Sequence, residues 1–335
     1  MAVEFTPQVI SDRIDHLPIV VMMPHSRCNC RCMMCDIWRA NRSGTSISEE
    51  ALAKMASDLA RLGTREVVLS GGEALMHPNL WALCAIIKAL PAKITLLSTG
   101  LLLERHAQKV SEFCDEVIVS LDGPPELHDR IRGVPRAFVR LAEGISALRR
   151  ARSDFPVSAR CVVQRDNYRL LPDIVSAARS IGLDRISFLA ADTDSQAFNR
   201  TDGWSGDKIA DICLTAEESD DLCAVIDQLI TDEPNAFASG FVSERPEKLR
   251  RIGRYYRAMN GLESFPETHC NAPWVSSVIE SDGTVRPCFF HAPLGNIRDG
   301  SLADILNADT AVAFRKALDV KSDPICQRCV CTLHL

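Results

Sequence analysis

Residues 28–35 read CNCRCMMC, four thiols in eight positions, shortly behind the apolar run PIVVMMP. No other stretch narrows the choice of fold as much. Thiols this close together cannot tie distant loops into a disulfide framework, so Cys28, Cys30, Cys32 and Cys35 leave three readings: a metal, redox chemistry or chance.

The setting of those thiols decides which reading leads. The N-terminus, MAVEFTPQVISDRIDHL, lacks the basic-then-apolar pattern of a secretory signal. No apolar run approaches the ~20 residues of a membrane span. A cytoplasmic location is therefore expected, where thiols stay reduced. With 14 cysteines in 335 residues, metal binding becomes the first hypothesis. The net charge of −6, with acids and bases interspersed, offers no footprint for nucleic acid. The densest basic stretch, SALRRAR at 146–152, reads as a solvated helix face.

The cysteines are unevenly placed. Besides the first four, Cys270, Cys288, Cys326, Cys329 and Cys331 gather near the C-terminus. Cys84, Cys114, Cys161, Cys213 and Cys223 stand singly in apolar patterns and read as small buried hydrophobes.

Between the two groups the chain alternates. Strands are expected at 18–23, 66–72, 93–100, 116–123, 157–164 and 185–190. Helices are expected at 47–63, 80–90, 101–113, 137–151 and 170–182, the first with Ser48 as N-cap and a stop at Gly63. Six strands with intervening helices give an α/β chain with a parallel sheet. Polar and glycine residues follow the strand ends repeatedly, where βα barrels gather their chemistry. The stretch from 190 to 208 reads as an irregular polar loop, followed by helices around 215–231 and 244–259. A division near 262–266 separates residues 1–261 from a small cysteine-rich domain, 262–335.

Within the first group Cys28-x3-Cys32-x2-Cys35 leaves Cys30 as an extra. Three thiolates on one loop suit three corners of a 4Fe–4S cube with one iron open, whereas structural zinc takes four ligands. The second strand ends in Ser70-Gly71-Gly72-Glu73 and the fourth in Ser120-Leu121-Asp122-Gly123. A three-cysteine loop after the first strand, GGE after the second and SLDG after the fourth together resemble the radical S-adenosylmethionine (SAM) superfamily. The resemblance covers roughly residues 16–200. It implies a partial (β/α)6 TIM-like barrel, a 4Fe–4S cluster whose open iron binds SAM, and reductive cleavage of SAM to a 5′-deoxyadenosyl radical that abstracts hydrogen from a substrate. It implies contacts to SAM from Gly71, Gly72 and Glu73, the last toward the ammonium, and from Ser120 and Asp122 toward the ribose or carboxylate. Met34 stands where the family often has an aromatic residue and is expected to meet adenine through its backbone.

The tail carries Cys270-x17-Cys288, with Gly283-x4-Cys288 inside it, then Cys326-x2-Cys329 and Cys331. Asp282-Gly283 signals a hairpin. The pattern is similar to the twitch or SPASM extension of radical SAM enzymes, which implies an auxiliary 4Fe–4S cluster on Cys270, Cys288, Cys326 and Cys329, with Cys331 an alternative to Cys329. A structural zinc on the same thiols is the competing reading. The expected activity is oxidation or other modification of a small molecule, with an electron passed to the auxiliary cluster. Modification of a ribosomally made peptide is the alternative, and a non-enzymatic iron–sulfur or zinc protein a third reading. A flavodoxin or ferredoxin is the expected electron donor. Arg160, Gln164, Asp192 and His291 are candidates for a general base.

Overall fold

The structure is a computed structural model that describes residues 11–200 and 203–335. Residues 1–10 of the expected first domain, and 201–202 of the polar loop, lie outside the described residues. Among the described residues nine strands form one sheet: β1 (Ile19–His25), β2 (Glu66–Gly71), β3 (Lys93–Ser98), β4 (Glu116–Ser120), β5 (Val157–Val163), β6 (Arg185–Ala190), β7 (Ser276–Ile279), β8 (Thr284–Arg286) and β9 (Gly295–Asn296). Their order is β6-β5-β4-β3-β2-β1-β7-β8-β9. From β6 to β7 every pair is parallel, and β7–β8 and β8–β9 are antiparallel.

The expected alternation is present. Helices Glu49–Arg61, Leu80–Lys88, Leu103–Phe113, Ala137–Ala151 and Leu171–Ser180 fall between the strands. The first is capped as expected, with the Ala51 N–H donating to Ser48 Oγ at 3.1 Å. Leu52, Met55 and Leu59 bury its inner stripe at helical spacing, and Gly63 takes a φ of 65° just beyond its end. Strand burial alternates. Val20 and Met22, Val67 and Leu69, Ile94 and Leu96, and Val117 and Val119 are buried, while Ile19, Val21, Val68 and Ile118 are half-buried. One face of the sheet thus carries the helices and the other lines an open half-barrel. At the N-terminal edge of the strands, Lys93 bridges Glu116 at 3.0 Å and Glu66 at 3.7 Å. The opposite edge is left for chemistry.

A short α-helix outside the expected alternation, Pro125–Arg132, follows β4 and ends at Gly133 in the left-handed region. The tail also joins the barrel sheet directly, with Ile19 to Met22 of β1 in register with Ser276 to Ile279 of β7. Its hairpin differs in detail from the expected two-residue turn. The Gly283 N–H donates to the Glu280 carbonyl at 2.9 Å, and the Glu280 N–H donates to Thr284 at 2.8 Å. Gly283, at φ 90°, therefore closes the loop rather than forming its centre.

Candidate functional site

The cysteine loop leaves β1 and is clamped from two sides. On the β2 side, the Glu73 N–H donates to the Arg27 carbonyl at 2.8 Å and the Gly72 N–H to His25 at 3.3 Å. A Cβ on Gly72 would collide with the Arg27 carbonyl. The glycine of GGE thus lets β2 approach the cysteine loop, where closeness to a ligand was expected. On the other side, the Arg31 N–H donates to the Arg132 carbonyl at 2.9 Å and the Met33 N–H to Ile131 at 3.1 Å. A Cβ on Gly133 would stand 2.7 Å from the Arg31 carbonyl oxygen.

Within this clamp Cys32, Cys30 and Met34 are buried, and Cys28 and Cys35 half-buried. A hydrogen bond from the Cys30 thiol brings Cys32 down to about 6, against its burial and with help from Arg132. Cys30 itself is pushed far up by its hydrogen bonds to Cys28 and Cys32 and by burial. Burial lifts Cys35 to about 12, and the charge on Cys32 adds to this. Cys30 therefore sits between two of the expected ligands.

The carboxylates of the two strand-end motifs are engaged by protein groups. Glu73 is completely buried. Its oxygens accept from the Leu75 N–H at 3.1 Å, the Ser98 hydroxyl at 3.1 Å, and the Thr99 N–H and hydroxyl, both at 2.7 Å. A carboxylate has about four lone-pair sites, and these donors fill them, so the expected direct bond to an ammonium is not what the structure shows. Burial raises the Glu73 pKa, and the Thr99 bonds oppose it.

Asp122 is the second correction. It is completely buried, accepts from the Val162 N–H at 2.9 Å and forms an ion pair with Arg132. Burial pushes its pKa up and Arg132 holds it down. Arg132 Nη1 in turn donates to Cys32 Sγ at 3.5 Å, across 100 residues of sequence. Asp122 thus supplies the counterion for a cation set against the Cys32 thiol, where a contact to ribose or carboxylate was expected. His128 Nδ1 accepts from the Asp122 N–H at 3.2 Å, and burial takes its pKa down to about 3. Ser120, the last residue of β4, is half-buried on the half-barrel side.

The loop after β6 covers the cysteine loop. Trp204 Nε1 donates to Asp36 Oδ2 at 2.7 Å, and Asn199 Nδ2 to the Asp36 carbonyl at 3.2 Å. The same loop reaches the tail, where Phe198 stacks on Phe289 at 6.2 Å and Asp194 pairs with Arg328 at 2.7 Å. Arg132, Asp36 and Trp204 were not singled out from the sequence. Pro125 and Gly133, bracketing a short helix, were the available signal for the first.

In the tail the cysteines converge from separate pieces of chain. Cys270 precedes the turn Ala272–Val275, Cys288 follows β8, and Cys326 lies in the turn Pro324–Gln327 with Cys329 just beyond. Asn271 ties this region to the C-terminus, its N–H donating to Leu333 at 2.8 Å and its side chain to Leu335 at 3.0 Å. Burial raises Cys288, opposed by N–H groups of Phe290 and His291, and Cys270 and Cys331 act on it electrostatically. Burial takes Cys326 to about 12. Cys331 is surface-exposed as a residue, but its thiol is shifted up by burial and down by Arg160.

The four base candidates are unequal. Arginine stays protonated and a glutamine amide has no basic site, which removes Arg160 and Gln164. Asp192 is ion-paired with Arg200. His291 lies in the tail, its Nε2 3.4 Å from Cys326 Sγ, and burial lowers its pKa.

Residues 22–187 match the model of the radical SAM superfamily, and residues 270–330 that of an iron–sulfur cluster-binding domain, SPASM. The chain belongs to the radical SAM superfamily. Fe-coproporphyrin III synthase of Methanosarcina barkeri is 26% identical over 312 residues, covering 87% of this chain and 74% of that protein. PqqA peptide cyclase of Bradyrhizobium diazoefficiens is 28% identical over 51% of this chain, which spans only 46% of that relative. The structure of anSMEcpe with bound AdoMet and Cp18Cys peptide shares the fold, with a TM-score of 0.67 at 21% identity, over 93% of this chain and 87% of that one. This radical SAM chain has the family's cofactors, SAM with a 4Fe–4S cluster and iron–sulfur in the tail. Its residues fit them. Three thiols share one loop, and the buried Asn29 Nδ2 and Gln164 Oε1 have no partner within the protein. Gln164 Nε2 lies 4.0 Å from Met34 Sδ, so one of these unpaired atoms sits beside the cysteine loop.

Proposed function

We propose that this chain is a radical SAM oxidoreductase or modifying enzyme of a small molecule. Cys28, Cys32 and Cys35 hold the SAM-binding cluster, and Cys270, Cys288, Cys326 and Cys329 an auxiliary one. Bound at that first cluster, SAM would supply the chemistry that removes hydrogen from the substrate. The observation that carries this reading is the clamped three-thiol loop at the C-terminal edge of an open half-barrel, with Arg132 on Cys32. Ser120 and the Met34 backbone are the proposed contacts to SAM. Gly71, Gly72 and Glu73 fix the strand end, and Glu73 acts on the ligand through Ser98 and Thr99. A peptide is the second reading. It is favoured by the match to PqqA peptide cyclase and by the open face of the half-barrel.

The reductant is proposed to be a flavodoxin or ferredoxin, and the location the cytoplasm. All 14 cysteines are unpaired, which supports a reducing compartment, and no described helix is long and apolar enough to cross a membrane.

Anaerobic reconstitution tests the reading. Wild type is expected to take up about eight irons per chain, and the Cys28/Cys32/Cys35 triple alanine variant about four. Cys32→Ala abolishes SAM cleavage. Replacing Cys326 and Cys329 by alanine leaves uncoupled SAM cleavage and removes the tail iron. Full SAM cleavage by Cys32→Ala would sink the first assignment, and one zinc without iron in the tail the second.

A further inference from the structure

Cys326 of the tail has one neighbour that the proposed function does not use. His291 is 5% exposed and its Nε2 lies 3.4 Å from Cys326 Sγ. Its ring meets Phe314 edge-on at a centroid distance of 5.0 Å. Its carbonyl accepts from Arg286 Nη1 at 3.1 Å, and Arg286 is held by Glu280 at 2.8 Å. The ring is thus packed against Phe314 while its backbone is held by Arg286. His291 itself lies on the hairpin arm, three residues beyond Cys288. One residue thus ties two arms of the tail, the hairpin arm that carries it and the terminal turn whose Cys326 its imidazole meets.

We propose that His291 is a positioning residue of the tail cluster, donating Nε2–H to the Cys326 thiolate and raising the cluster's reduction potential. This rests on the iron–sulfur reading of the tail given above. A hydrogen bond to a ligand sulfur withdraws charge from it and favours the more negative, reduced state. A neutral imidazole does this without adding a net charge. The cluster would then accept an electron more readily from a substrate-derived radical.

His291 is a donor here rather than a ligand. His291, Asp323 and Cys326 do place ligand atoms within 4.8 Å of one another. Asp323 Oδ1, however, already accepts from the N–H groups of Ile325 and Cys326, both at 2.9 Å, capping the turn that carries Cys326. Four tail thiols are also available without the imidazole.

The experiment uses the full chain carrying Cys28/Cys32/Cys35→Ala, so that only the tail cluster is present. His291→Phe keeps an aromatic ring against Phe314 and removes the donor, and His291→Gln keeps an N–H. Iron content, the paramagnetic spectrum and a redox titration are measured on each. All three proteins are expected to hold about four irons. His291→Phe is expected to shift the reduced-to-oxidised ratio at a fixed potential about tenfold toward oxidised, which is about 59 mV for one electron. His291→Gln should recover most of that shift. An unchanged potential in His291→Phe with iron retained overturns the inference and leaves the proposed function standing. Loss of iron in both variants overturns it by making His291 a ligand. A parent protein with zinc and no iron overturns this inference together with the auxiliary-cluster reading.

Discussion

Two cysteine groups in one chain are held by opposite means. At the strand ends a permanent cation, Arg132, is buried against Cys32 and balanced by completely buried Asp122. In the tail the group against Cys326 is an imidazole, and the nearby carboxylate, Asp323, is only partly buried. The two thiols these groups touch also differ in direction: the Cys30 hydrogen bond, with help from Arg132, brings Cys32 down to about 6, whereas burial and Asp323 take Cys326 up to about 12. The first arrangement stabilises negative charge on Cys32 through the Cys30 thiol and, to a smaller extent, Arg132. The second relies on hydrogen bonds from neutral groups and on the convergence of distant segments.

The largest expected effect would break this contrast at its base. Arg132→Leu leaves Asp122 charged and unpaired in the interior, and should cost ~3–5 kcal/mol in denaturant unfolding. The double variant Asp122→Leu/Arg132→Leu should recover much of that stability while still failing to cleave SAM. Asp323→Asn, at the partly exposed tail position, should cost about 1 kcal/mol or less. Equal losses at Arg132 and Asp323 would erase the distinction between the sites.

Glu73→Gln is the next test. It replaces one acceptor oxygen by a donor facing Ser98 or Thr99, with an expected cost of ~1–3 kcal/mol. SAM affinity should fall through the displaced Ser98–Thr99 segment, while tail iron stays unchanged. A titration with undiminished SAM affinity in a destabilised variant would confine Glu73 to a structural role.

The smallest effect is a pH dependence confined to the first site. His128 is neutral in the folded protein, with its pKa lowered to about 3 from 6.5, chiefly by burial. A lowered value means that its contribution is present in full above about pH 6.5 and is lost as pH falls toward 3. Between pH 7 and pH 5 the wild type should lose about 1–2 kcal/mol that a His128→Gln variant does not. Parallel stability curves for the two proteins would place the acid sensitivity elsewhere.

Much of the barrel was readable because its signals are local. Strand and helix periods, the Ser48 cap, and glycine at 63 each depend on a few neighbouring residues, and their boundaries fall within a few positions of those expected. The isolated Cys84, Cys114 and Cys161 are buried, as their apolar surroundings implied. The short helix Pro125–Arg132 was missed because its eight residues carry too little periodicity to stand out. The role of Asp122 was misread for a different reason: an aspartate after a strand looks the same whether it faces a ligand or a buried arginine.

By itself the sequence determined the alternating strand–helix order and which cysteines share a loop. Both follow from chain proximity and side-chain periodicity. Only the tertiary structure decided that Arg132 reaches Cys32 and that Glu73 is filled by Ser98 and Thr99. It also decided that β7 pairs with β1 and that His291 meets Cys326. These contacts join residues far apart along the chain. Their energies come from burying charges and sulfurs together in a low-dielectric interior, and that interior exists only once the sheet has formed.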